Sequence, residues 1–244
     1  MIKTIRGSYS VFVPVRTGSQ RIKKKNTRPF AGIPGGLVEL KLRQLCALSD
    51  NFEIVLSTDD EKTINIAKKP EFIRRVKVFR RPDDLCRSNT PLRELIDYVP
   101  TVCRQPWIVW SHATSPFMNS DCIISAVLEH EKGLKKGHDS LIGIMELQKY
   151  LLDPVSMQPI NYDRNKDPWP PTQSLPLIYE VNSSIFIASR EHYKKNHDRI
   201  GLNPLPWRTP LLAAFDIDYE NDFVLAEAIQ RKIDGKKVMK KRKI

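Results

Sequence analysis

Residues 10–26 read SVFVPVRTGSQRIKKKN. The first six form an almost unbroken apolar run of strand length. Such a run, apolar without alternation, marks a strand buried on both faces, the environment of a parallel sheet covered by helices. It leads directly into a loop carrying Arg16, Arg21, Lys23, Lys24 and Lys25 around one glycine, Gly18. Two readings of that loop stand side by side: a solvated basic surface, or a cradle for a ligand with several negative charges.

The same grammar repeats outward from this stretch. Apolar runs at 53–57, 76–79, 107–111, 140–145 and 184–188 read as strands. Helical periodicity falls at 36–48, 60–69, 91–103, 121–132, 190–196 and 220–233. Strands alternating with helices predict an α/β three-layer, doubly wound fold with a mostly parallel sheet. Thr58 and Glu61 have capping-box spacing for the second helix, with Asp59 and Asp60 at its start, and Ser120 or Asp121 is expected to cap the fourth. Residues 146–178 break the alternation. Six prolines in DPVSMQPINYDRNKDPWPPTQSLPL exclude a regular helix. So long an irregular segment is read as a functional loop or an arm for a partner subunit.

The chain of 244 residues is expected to form one domain over 1–235, followed by a basic tail at 236–244. Its composition, 41% hydrophobic and 28% charged, is that of a globular protein able to bury a core without staples. No apolar run reaches the ~20 residues of a membrane span. MIKTIRGSYS lacks the apolar block of a signal peptide. Cys46, Cys86, Cys103 and Cys122 form no C-x-x-C pair, so reduced thiols and a cytoplasmic location are expected. The net charge of +12 invites a nucleic-acid reading. Six of the basic residues, however, sit in the nine-residue tail KKVMKKRKI. No reader motif is present, and a small phosphate ligand accounts for the loop equally well.

In a doubly wound sheet, ligands bind beyond the carboxyl ends of the strands. Arg16 to Asn26 follow the first such end. The loop is neither G-x-G-x-x-G nor Walker A, but backbone N–H groups ringed by Arg and Lys suit a triphosphate. Near the far end, FDIDYENDF places Asp216 and Asp218 on one face of an extended segment, where they repel unless a cation lies between them. Mg²⁺, which takes one or two carboxylates plus phosphate oxygens, fits that pair. Capping of the last helix is the rival use, and Asp222 is better placed for it. His112 follows the strand at 107–111, ahead of a turn at Ser115 and Pro116. Arg80 and Arg81 follow the strand at 76–79, a weak signal alone.

Taken in order, these segments resemble the sugar-acid cytidylyltransferases, the family of CMP-sialic acid synthetase and its Kdo, legionaminate and pseudaminate relatives. Arg16 to Asn26 match the opening R-x-G-S-K-R-I-x-x-K-N loop, and Ser57 to Asp60 match S-T-D-D. Arg81 to Leu85 match R-P-x-x-L, and Thr114 to Pro116 the T-S-P turn. Asn182 to Ile187 match the N-G-S-I-Y-I-like strand, and Asp216 to Phe223 match D-I-D-x-x-x-D-F.

The resemblance implies attack of a 2-keto sugar acid's anomeric hydroxyl on the α-phosphorus of CTP, with release of pyrophosphate. It assigns nucleotide binding to Arg16, Gly18, Ser19, Arg21, Lys25, Asn26 and Arg81, and Mg²⁺ binding to Asp216 and Asp218. His112, Gln173, Tyr179 and Asn182 would meet the acceptor. Arg16, Lys25, His112, Asp216 and Asp218 would carry catalysis. It also implies a homodimer through the 146–178 arm, with Trp169 and Tyr179 at the interface, and neither a membrane nor a nucleic-acid partner. Four departures, Gln20, His112, Ser183 and the stretch Ser88 to Pro91, bear on the acceptor more than on the nucleotide. Transfer to another acid such as Kdo or a phosphonate is the nearest alternative, and non-catalytic nucleic-acid binding the more distant one.

Overall fold

A computed structural model describes residues 5–241, with side chains as far as residue 235. The elements are β1 (Tyr9–Val15), α1 (Gly36–Leu45), β2 (Phe52–Thr58), α2 (Glu61–Ala67), β3 (Val76–Arg80), α3 (Leu92–Val102) and β4 (Trp107–Ser111). They continue with α4 (Ser120–Leu134), β5 (Ser140–Leu147), β6 (Ile178–Ser189), α5 (Arg190–Asn196), β7 (Pro204–Arg208) and α6 (Glu220–Lys241). One seven-stranded sheet has the order β3-β2-β1-β4-β6-β5-β7. All pairings are parallel except the two made by β6, which runs against β4 and β5.

Every expected strand is present, and β1 and β2 are buried almost throughout, as their unbroken apolar runs require. On one face Phe30, Leu37, Leu42 and Phe223 join α1, α4 and α6 to the sheet. On the other, Val99 of α3 and Tyr193 of α5 pack with Phe12, Trp110 and Phe186.

Two expectations about helix starts are corrected. Thr58 is not the cap of α2. Its Oγ1 accepts from Asp60 N, while Asp60 caps the helix by accepting from Lys62 N at 3.1 Å. Neither Ser120 nor Asp121 caps α4. Asn119 does, accepting from Cys122 N at 3.0 Å, because it alone has extended backbone ahead of the first turn. Asp222 takes the expected role in α6, accepting from the backbone N–H of Asp218 and Tyr219 at 3.0 and 2.7 Å. Helix α6 runs on to Lys241, into the stretch read as the basic tail. The rest of the basic tail lies outside the described residues.

β7 is absent from the sequence reading because PLPWR carries two prolines. As the last strand in the sheet order it pairs only with β5, so a missing N–H on its open side costs no ladder bond. The segment between β5 and β6 has one 3₁₀ turn, Thr172–Ser174, and one isolated antiparallel bridge between Leu152 and Pro159. It is organised by its own polar contacts. Asn161 bonds Leu151 N and Lys149 O, and the Tyr150 ring meets those of Tyr162 and Trp169.

Gly36 fixes the return of the opening loop onto α1. Its φ is +66°, and a Cβ there would lie 2.1 Å from the carbonyl oxygen of Arg28. Gly36→Ala therefore meets both left-handed strain and a backbone clash. A loss of about 2 kcal/mol or more is expected in urea unfolding.

Candidate active site

The sheet order turns at β1 and β4. From β1 the chain builds outward through β2 to β3, and β4 then pairs on the opposite side. The crevice between the carboxyl ends of two such strands is where a doubly wound sheet opens to ligand. A cavity of about 440 Å³ lies there. Arg16, Arg21, Lys25 and Arg81 bring four cations to its wall, and among the described residues no carboxylate lines it.

Each cation is held differently. The opening loop is anchored at Thr17, which donates to Asp59 from its backbone N at 2.8 Å and from its hydroxyl. Asp59 thus serves the loop, whereas its neighbour Asp60 serves the helix. Gly18 adopts φ +75° at the bend, and Lys24 takes a left-handed φ of 55° where Thr27 N and Arg28 N close onto its carbonyl. Lys25 reaches across to Ile217 O at 2.6 Å. Arg21 pairs with Asp218 at 2.8 Å and lies over the Tyr219 ring. Arg81 is buried, donating to Ser57 O at 2.9 Å, whereas Arg80 is turned outward to Glu61. Arg16 makes no hydrogen bond or ion pair with any described residue, although it lines the cavity. Ser19 and Asn26 line it too, and with Arg16, Gly18 and Lys24 they border a second cleft of about 430 Å³ behind the loop.

His112 stands on the cavity wall beyond β4. Trp110 donates from Nε1 to His112 Nε2 at 2.9 Å, so that nitrogen is an acceptor and the proton sits on Nδ1. Burial, reinforced by Arg199, Lys41, Lys25 and Arg81, pushes the imidazole down to about 3. His112 is therefore neutral at physiological pH. With Nε2 occupied, Nδ1–H is left as a donor, so the ring is arranged to give a hydrogen bond to a ligand rather than to take a proton from one.

Between pH 6.5 and 3 the unfolded chain binds a proton at this position and the native state does not, so stability rises with pH across that window. His130, lowered by burial to about 4, acts in the same direction. Stability should thus fall as pH drops below 6.5, and His112→Gln should flatten that acid limb in melting temperatures taken from pH 7 to 4.

Asp216 and Asp218 flank buried Ile217, whose N–H donates to Thr114 O at 3.0 Å. This bond ties the D-I-D segment to the turn after His112. Burial, opposed by Thr114 but assisted by Asp218, holds the Asp216 carboxyl above its usual range. Beneath them lies Lys41, fully buried, donating to Ser115 O at 3.0 Å and Met118 O at 2.6 Å. Burial pushes its amine down to about 7. Among the described residues no group of three or more His, Cys, Asp or Glu could enclose a metal.

Of the remaining predicted residues, Asn182 is buried on β6 and spends its amide within the protein. It donates to Thr209 Oγ1 at 2.9 Å and accepts from Ser184. Tyr179, at the start of β6, is half exposed and opposite Glu146. Gln173 is exposed in the 3₁₀ turn. None of the three lines the cavity. Two residues that the sequence reading missed do act on the site. Lys41 carried a signal, a lysine set in the otherwise apolar stripe of Leu37, Val38, Leu42 and Leu45. Arg199, in the loop after α5, carried none.

A family model described as Cytidylyltransferase matches residues 10–205. The chain belongs to the cytidylyltransferase family. It is 25% identical over 258 residues to the N-acylneuraminate cytidylyltransferase of Escherichia coli, covering 96% of this chain and 55% of that protein. The chain thus spans about half the length of that relative. It is 26% identical to the Post-translational flagellin modification protein B of Campylobacter coli, over 87% of this chain and 90% of that protein. With the CMP-N,N'-diacetyllegionaminic acid synthase of Legionella pneumophila it shares 25% identity, over 89% and 94% respectively. Among solved structures, CMP:2-keto-3-deoxy-manno-octonic acid synthetase complexed with CTP shares the fold at TM-score 0.61 and 11% identity, over 92% of this chain and 99% of that one. Among the described residues, no helix is long and apolar enough to cross a membrane.

Proposed function

We propose that the chain transfers CMP from CTP to a 2-keto sugar acid and releases pyrophosphate. The observation that carries this reading is the cavity at the β1–β4 switch, where four cations and, among the described residues, no carboxylate surround a space large enough for a nucleotide. The named activities of the cytidylyltransferase relatives support it. Arg16 and Lys25 hold the phosphates, with the loop backbone between them, and Arg81 approaches from β3. His112 donates from Nδ1 to the nucleotide or acceptor. The anomeric hydroxyl of the acceptor attacks the α-phosphorus and pyrophosphate leaves, so positioning and charge stabilisation carry the rate.

Asp216 and Asp218 would hold Mg²⁺. The site fits a cation because the two carboxylates already oppose each other's charge, and Mg²⁺ asks no more of a protein than one or two carboxylates. When bound, the ion neutralises charge between triphosphate and acid acceptor. Arg21, bonded to Asp218 and lining the cavity, would lie between that site and the phosphates.

A homodimer in the cytoplasm completes the reading. Val155, Met157, Ile160 and Trp169 expose apolar surface along the arm, and Tyr179 does so beside it. Light scattering at micromolar concentration should give twice the mass of the 28.2 kDa chain, and a monomer mass contradicts the arm's assignment.

The test of nucleotide choice is thermal stability with CTP, other nucleoside triphosphates and a DNA duplex, each with and without Mg²⁺. A CTP-selective, Mg²⁺-dependent rise supports the proposal. A rise with DNA alone favours the nucleic-acid reading.

A further inference from the structure

Arg199 lies in the loop between α5 and β7, outside every motif that marks the site. Its guanidinium carbon stands 3.8 Å from the ring centroid of Phe186 and 5.0 Å from that of Trp110. Those two residues are register partners on β6 and β4, so neighbouring strands present a continuous aromatic floor on which the guanidinium is stacked. Trp110 also lines the nucleotide cavity and donates to His112. Of all the charges that act on His112, Arg199 acts most strongly.

Arg199 is not itself part of the cavity wall; it meets the cavity through Trp110, which is. Across the sheet the order is the phosphate-holding loop after β1, His112 after β4, then Arg199 over β6, with successive strands about 4.8 Å apart. That is the order in which triphosphate, attacking hydroxyl and the acceptor's carboxylate, borne on the carbon next to the anomeric one, would lie.

The guanidinium's protein neighbours are the two rings, with Asp198 and the Tyr193 hydroxyl also acting on its charge. It makes no hydrogen bond and no ion pair among the described residues. Asp198, its neighbour in sequence, turns back and accepts from Arg199 N and Ile200 N at 2.6 and 3.1 Å. Stacking alone would need only a flat or flexible apolar side chain. A fork of five N–H donors, already fixed on two rings and unpaired, suits a planar anion held by two parallel hydrogen bonds. Burial lowers the guanidinium's own pKa, which means a bound anion would stabilise its charge.

We propose that Arg199 binds the carboxylate of the acceptor and so restricts this chain to acids over neutral sugars. The inference rests on the proposed function and deepens it by naming the residue that reads the acid.

The experiment compares the parent with Arg199→Met and Arg199→Lys. N-acetylneuraminate, Kdo and the carboxamide of each serve as probes, in ligand-observed NMR titrations with Mg²⁺ and CTP affinity measured alongside. The parent is expected to bind an acid about 10- to 100-fold more tightly than its carboxamide, the range of one charge-assisted pair. Arg199→Met should abolish that preference and raise the acceptor KM by the same factor, with CTP affinity unchanged. Arg199→Lys should keep part of it, since a point charge replaces the fork. A preference for acid that survives in Arg199→Met overturns the proposal, as does an equal loss of CTP affinity, which is the mark of a structural role. If Arg199→Met does not fold, Arg199→Lys decides, and full parental discrimination in it overturns the proposal. A parent that releases no pyrophosphate with any acid, yet binds acids in an Arg199-dependent way, removes the proposed function and leaves this inference standing. A parent that binds no acid removes the inference.

Discussion

Asp216→Asn and Asp218→Asn should each fold as the parent does and lose Mg²⁺-dependent pyrophosphate release from CTP by about 10²- to 10³-fold. The fold is spared for reasons visible at each position. The start of α6 is secured by Asp222, which accepts from Asp218 N and Tyr219 N, so neither Asp216 nor Asp218 is needed as a cap. Asp218 is partly exposed, and its pairs with Arg21 and Lys25 fall in the class of surface ion pairs worth about 0–1 kcal/mol. Asn at 216 still accepts from Ser115 and Thr114. What each substitution removes is a formal charge beside the proposed triphosphate site. Pyrophosphate release and circular-dichroism melts on the same preparations separate the two roles, and parental rates in both variants would place the metal elsewhere.

Arg16→Ala should weaken CTP binding by about 1.5–3 kcal/mol, roughly 10- to 150-fold, with little change in stability. Arg16 differs here from the other cations of the loop. Arg21 and Lys25 are engaged by the D-I-D segment, and Arg81 is bonded to Ser57, so their removal disturbs the protein as well as the site. Arg16 touches none of these, and its free guanidinium faces the cavity. Titration calorimetry with CTP measures the loss directly, and unchanged affinity in a folded variant would remove the loop from the nucleotide site.

How much of this was legible in the sequence follows from what each residue depends on. Strands buried on both faces leave an unbroken apolar run whatever their neighbours, so β1, β2 and β4 could be read without a partner in view. The strand PLPWR could not, because its prolines are tolerated only at an edge, and edge position is a property of the whole sheet. The division of labour between Asp59 and Asp60 was hidden for the same reason. Adjacent carboxylates at a helix start look alike until one is found holding Thr17 of a distant loop. In the site, the loop of residues 16–26 and the pair Asp216 and Asp218 announce themselves by local charge spacing. Arg199 does not, since its meaning comes from the two rings beneath it, on strands brought together by the antiparallel turn of β6. Asn182 shows the reverse case. It sits in a motif that points to substrate, and the fold commits its amide to Thr209 and Ser184.

The central claim is that the cationic cavity at the β1–β4 switch is a CTP site at which a sugar acid attacks. Its most direct measurement is pyrophosphate release by the parent protein with Mg²⁺, each of the four nucleoside triphosphates in turn, and a panel of 2-keto sugar acids. The account predicts release that requires CTP and an acid together, and none when either is withheld. Equal release with another triphosphate, or release from CTP that is indifferent to the acid, would contradict it.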